Sequence, residues 1–148
     1  MNEEELISYM TGKTFIKVFT KNESELLIKY YSNFSEYKEH NPESNVSESD
    51  YNDFFTKDTI QKIMISNSAF ALRFLPSTKS VSISLKFKDT LYSVELDEER
   101  LSEFLSFSLS SLYTKELWFE KFSNVYIYDK KNRELLFNQF VKVEQQTA

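Results

Sequence analysis

Residues 80–97 read SVSISLKFKDTLYSVELD, and their alternation decides the fold class. Val81, Ile83, Leu85 and Phe87 alternate with Ser82, Ser84, Lys86 and Lys88, as a strand with one buried face requires. Lys88-Asp89-Thr90 makes a tight connection into Tyr92, Val94 and Leu96, which alternate again. Upstream, Phe70, Leu72 and Phe74 alternate before Pro76, so three consecutive antiparallel strands are expected here.

Working toward the C-terminus, Asp97 is placed to N-cap a helix whose first turn carries Glu98 and Glu99, where the helix dipole favours anions. Leu101, Phe104, Leu105, Ser108, Leu109 and Leu112 predict its buried stripe. A short helix through Leu117, Trp118, Phe119 and Phe122 follows. Val125 to Tyr128, a turn at Asp129 to Asn132, and Arg133 to Val143 then read as a hairpin, with residues 144–148 as a frayed tail.

Toward the N-terminus, Glu3 to Met10 predicts a short helix stopped by Gly12, and Thr14 to Thr20 a strand. Asn22 followed by Glu25 has the form of a capping box, and Leu26, Leu27, Tyr30, Tyr31 and Phe34 recur with helical period, which predicts a helix to Lys38. Residues 39–49 are polar apart from Val46 and read as a surface loop. Ser47 or Ser49 then caps a helical piece with Tyr51, Phe54 and Phe55, and Thr56 a second with Ile60, Ile63 and Met64. The sum is a single α+β domain over residues 1–148, an antiparallel sheet of five to six strands with helices packed on one face.

Composition narrows function mainly by exclusion. The chain has no cysteine, so disulfides, thiolate nucleophiles and thiolate zinc sites are ruled out, and a reducing cytoplasm is the expected compartment. The acidic start Met1-Asn2-Glu3-Glu4-Glu5 does not resemble a secretory signal, and no apolar run has the length of a membrane span. A net charge of −5 with interleaved signs disfavours nucleic acid, and Lys13, Lys17, Lys21 and Lys29 read as a solvated face. The abundance of Lys, Asn, Ile, Phe and Tyr fits AT-rich coding, as in a low-GC bacterium or a phage or mobile element within one.

Chemical motifs fare no better. Gly12-Lys13-Thr14 has the closing triplet of a phosphate-binding loop, but Ile7 stands where the first glycine belongs and a helix precedes it instead of a strand. His40, the single imidazole, lies in a polar loop beside Glu39 and Glu43, a weak ligand set. Glu95 and Glu116 are the acids considered for inward-facing acid–base roles, with solvent exposure the preferred reading. No catalytic, cofactor or metal residue is assigned.

What stands out is an aromatic content of 16%, which fills a core and leaves the question of whether some rings serve a binding face. The expected function is accordingly a non-enzymatic, cytoplasmic protein-binding module of inhibitor, immunity or regulatory type. Its partner site is placed on Glu43, Glu48, Asp50, Tyr51, Asp53, Phe54 and Phe55, where acids steer a partner protein and rings anchor it. Tyr126 and Tyr128 are the next candidates. A carboxylate- or divalent-metal-dependent enzyme and a self-associating structural subunit are the alternatives, the latter making a homo-oligomer.

Overall fold

The computed structural model describes residues 1–146 as a five-stranded sheet with helices over one face. In chain order the elements are α1 (Glu3–Ser8), β1 (Ile16–Asn22), β2 (Glu25–Tyr30), α2 (Phe34–His40), α3 (Glu48–Phe54), α4 (Lys57–Lys62), α5 (Ser68–Phe74), β3 (Ser80–Phe87), β4 (Thr90–Asp97), α6 (Glu98–Leu105), α7 (Lys115–Trp118), α8 (Lys130–Phe140) and β5 (Val141–Gln145). Spatial order follows sequence order, β1 to β5. The sheet is mixed, because β2 runs parallel to β3 while the other pairs are antiparallel. A parallel neighbour needs a long crossover. Residues 31–79, with α2 to α5, supply it.

The 80–97 hairpin forms as its alternation predicts, with Val81 facing Leu96 and Ile83 facing Val94 across the register. Leu26, Ile28, Val81, Ile83, Leu85, Val94 and Leu96 are buried on the helix-covered face. The opposite face carries Leu27, Ser82 and Glu95 in one cross-strand row and Lys29, Ser84, Ser93 and Lys142 in the next. One buried and one polar face is the usual condition of a sheet covered on one side. The β1 edge is guarded by Lys17 and Lys21 and by an irregularity in pairing between Ile16 and Val18.

Six stretches differ from the sequence expectation. The helix expected from Asn22 to Lys38 is instead β2 followed by the short α2. Leu26, Ile28 and Tyr30 alternate as well as Leu26, Leu27 and Tyr30 fit a helix, and β3 supplies the deciding partners, with Leu26 beside Val81 and Ile28 beside Ile83. Asn22 and Glu25 therefore pair across a turn in which Glu23 has φ 57°, and the true cap is Asn33, whose side chain accepts from the Glu36 amide at 2.8 Å.

Phe70, Leu72 and Phe74 lie on α5 rather than on a strand. Phe70 and Phe74 lie on one helical face with tilted rings 4.7 Å apart, and both meet Trp118. The helix expected to reach Leu112 ends at Leu105, because Ser106 turns left-handed at φ 65°; Leu109 and Leu112 remain buried through a separate short turn.

The C-terminal hairpin is replaced by a π-helical segment, Phe119–Ile127, then by α8 and β5. Asp129 caps α8 by accepting from the Asn132 amide at 3.0 Å. Buried Arg133 ties α8 to α4, donating to Gln61 at 2.9 Å and Asp58 at 2.7 Å, and also to the Ile127 carbonyl at 2.8 Å. Of the expected tail, Glu144 and Gln145 pair with β4, and residues 147–148 lie outside the described residues. The surface loop contracts to residues 41–47, since α2 runs to His40 and α3 begins at Glu48.

Candidate functional site

An apolar groove opens between the turn that follows α1 and the outer side of α3. Its first wall is set by Gly12, whose φ of 73° suits the residue type that carries no Cβ. A Cβ there would lie 3.0 Å from Tyr30 Cε2, 3.2 Å from Ile63 Cδ1 and 3.3 Å from Phe54 Cε1. Asn67 locks this turn. It accepts from the Thr11 amide at 3.0 Å and donates to the Thr11 carbonyl at 2.9 Å and to the Tyr30 hydroxyl at 2.9 Å. Tyr30 donates in turn to the Thr11 carbonyl at 2.7 Å. Burial raises the Tyr30 pKa, against the smaller opposing effect of the Asn67 bond, so the phenol stays protonated as a donor. Asn67 closes the wide helical turn Ile63–Asn67 between α4 and α5, a type of bulge that re-aims side chains within a helix.

The second wall is α3. Ser47 and Asp50 form a reciprocal capping box: the Asp50 amide donates to Ser47 Oγ at 3.0 Å and the Ser47 amide to Asp50 Oδ2 at 3.1 Å. Tyr51 and Phe55 point inward around Phe15, whose ring centroid lies 5.1 Å from Tyr51 and from Tyr37, 5.3 Å from Phe54 and 5.4 Å from Phe55. The Tyr51 hydroxyl donates to the Tyr31 carbonyl at 3.2 Å. Burial, aided by the Glu36 charge, pushes its pKa up to about 12.

Between these walls lies a cavity of about 500 Å³ whose apolar lining comes from Met10, Gly12, Phe15, Val46 and Phe54, with Asp50 on the α3 side and Lys13 on the turn side. Pockets that bury a ligand group run from roughly 300 to 1,000 Å³, so a side chain can enter. Glu43, Glu48, Asp50 and Asp53 are all exposed, and none is ion-paired among the described residues. Residues 43–54 contain no Lys or Arg.

Of the seven residues expected at a partner site, the structure thus divides the set. Asp50 and Phe54 line the groove, and Glu43, Glu48 and Asp53 are exposed on the same segment. Tyr51, 2% exposed, and Phe55, 4% exposed, belong to the core and cannot face a partner. The helical period explains the split, since Tyr51 and Phe55 are four apart on one face while Asp50 and Phe54 are four apart on the next. Met10, Gly12, Phe15 and Val46 were not anticipated. Val46 had a visible signal, being the one apolar residue in its polar loop.

The other candidates have structural surroundings. His40 ends α2 with Nδ1 2.9 Å from the Glu36 carbonyl and its ring 5.7 Å from Tyr31. Glu36 reaches back to the Ser32 amide at 3.0 Å and to Lys17 at 2.9 Å; that amide first, and Lys17 second, hold its carboxyl below the usual range. Glu95 and Glu116 are exposed. Tyr126 stacks on Phe122 at 5.7 Å, and Tyr128 is exposed with Lys62 Nζ 5.4 Å over its ring. Among the described residues no three His, Cys, Asp or Glu side chains are grouped to hold a metal, and no helix is long and apolar enough to cross a membrane. No protein-family model, curated protein or solved structure matches this chain.

Proposed function

We propose that the chain is a non-enzymatic protein-binding module, a cytoplasmic inhibitor, immunity or regulatory protein, that engages another protein at the groove between Gly12 and α3. The observation that carries this reading is the groove itself: apolar walls at Val46 and Phe54 on a segment whose four carboxylates are exposed and free of ion pairs among the described residues. Apolar centres rimmed by polar groups are the usual anatomy of an interaction site. Pre-organisation supports it as well, because the Asn67 lock and the Ser47–Asp50 box hold both walls in place before any partner arrives.

The test is capture from a host-cell lysate by the immobilised full chain, run beside a Val46→Lys variant. Val46 is only partly buried, so a lysine there can extend to solvent while placing a charge in the groove. A captured protein that the variant no longer retains supports the reading. Equal capture by both chains removes the groove from the interaction.

A further inference from the structure

The two groove walls carry opposite charge. Lys13 stands on the turn side, and Asp50 on the α3 side with Asp53, Glu48 and Glu43 on the same segment. We propose that the occupant is a bipolar segment of a partner protein: an apolar side chain seated between Val46 and Phe54, Lys or Arg on its α3 flank, and a carboxylate on its Lys13 flank. This rests on the protein-binding reading and adds to it the chemistry and the orientation of the partner.

Three features support this occupant over an uncharged one. The lining at the centre is apolar, so affinity there comes from removing an aliphatic or aromatic side chain from water. The α3 side offers Asp50 at the groove and exposed Asp53 on the same helix, neither ion-paired among the described residues, so a cation arriving there meets free carboxylates, whereas Glu48 lies apart in a hollow shared with Lys86 and Lys88. Lys13 makes the reverse orientation unfavourable, because it would set the partner's cations against its own ammonium. Asp50, which lines the groove, is held in place by the bond that its Oδ2 accepts from the Ser47 amide at 3.1 Å.

Selection of displayed random peptides on the immobilised full chain tests the proposal. The expected winners carry one apolar residue with Lys or Arg on one flank and Asp or Glu on the other, and none is retained by Val46→Lys. Asp53→Lys, which leaves the capping box intact, is expected to weaken a selected peptide by about tenfold, with the loss shrinking as salt is added. Lys13→Glu is expected to shift the winners toward bases on both flanks. Winners that depend on Val46 but show no charge pattern overturn the bipolar occupant and leave the protein-binding reading standing. Failure to select any peptide, while Val46-dependent capture from lysate succeeds, also overturns it. Loss of that lysate capture removes the broader reading instead.

Discussion

The two sides of α3 have similar composition around them and opposite fates. On the inner side Tyr51 sits among Phe15, Tyr37 and Phe55, with its hydroxyl bonded to the Tyr31 carbonyl. On the outer side Asp50 and Asp53 face solvent, and Phe54 bridges the two by touching Phe15 while lining the groove, whereas exposed Glu48 lies beside Tyr51 in a hollow shared with Lys86 and Lys88. A stretch that mixes acids with rings is thus sorted by the helical period into a core face and a face open to solvent. Aromatic residues beside acids are available to a partner only on the face the helix leaves open.

The largest effect belongs to the core that the inner side joins. Ile83, 1% exposed at the centre of the sheet, replaced by Asp buries an unpaired charge, and the variant is expected to show no cooperative urea transition. Tyr51→Ala comes next. It empties the aromatic cluster and strands the Tyr31 carbonyl, with an expected loss of about 3–5 kcal/mol in urea unfolding. A loss under about 1 kcal/mol would erase the distinction between the two sides of α3.

Gly12→Ala sharpens the comparison at the groove wall. A Cβ at φ 73°, 3.0 Å from the Tyr30 ring and 3.3 Å from the Phe54 ring, is expected to cost about 2 kcal/mol and to push Phe54 into the groove, reducing partner capture as well. The alkaline limb of stability reports Tyr51 on the inner side together with Tyr30, whose pKa burial also raises. A phenol whose pKa rises on folding binds its proton more tightly in the native state, so its contribution is complete below about pH 10 and declines as the pH climbs toward 12. Tyr51→Phe is expected to flatten that decline, and an unchanged slope would place the titration elsewhere. On the outer side Asp53→Lys is expected to change stability by no more than about 0.5 kcal/mol.

How much of this was legible in the sequence follows from where local signals and tertiary partners agree. The 80–97 hairpin and the caps at Thr56 and Asp97 were readable, and the α3 cap was narrowed to Ser47 or Ser49, because the residues that set them lie within a few positions of one another. Residues 26–30 were not, because Leu26, Leu27 and Tyr30 satisfy the helical period while Leu26, Ile28 and Tyr30 satisfy the strand one, and the deciding neighbours, Val81 and Ile83, lie far along the chain. Arg133 to Phe140 misled for a similar reason. Its inward side chain bonds Gln61 and Asp58, a contact no local pattern announces. At the groove, Asp50 and Phe54 were legible on their own helix, whereas Met10, Gly12 and Phe15 join it only because Asn67 pins the Thr11 backbone.

The central claim is that recognition lies on the outer side of α3 and the groove beside it, apart from the inner side that holds the fold. It is tested most directly by measuring, on one preparation of Val46→Lys, both the urea unfolding midpoint and the retention of the protein captured by the wild-type chain. A cooperative transition within about 1 kcal/mol of wild type together with lost retention is the expected result. A well-folded variant that holds the partner as tightly as wild type would contradict it.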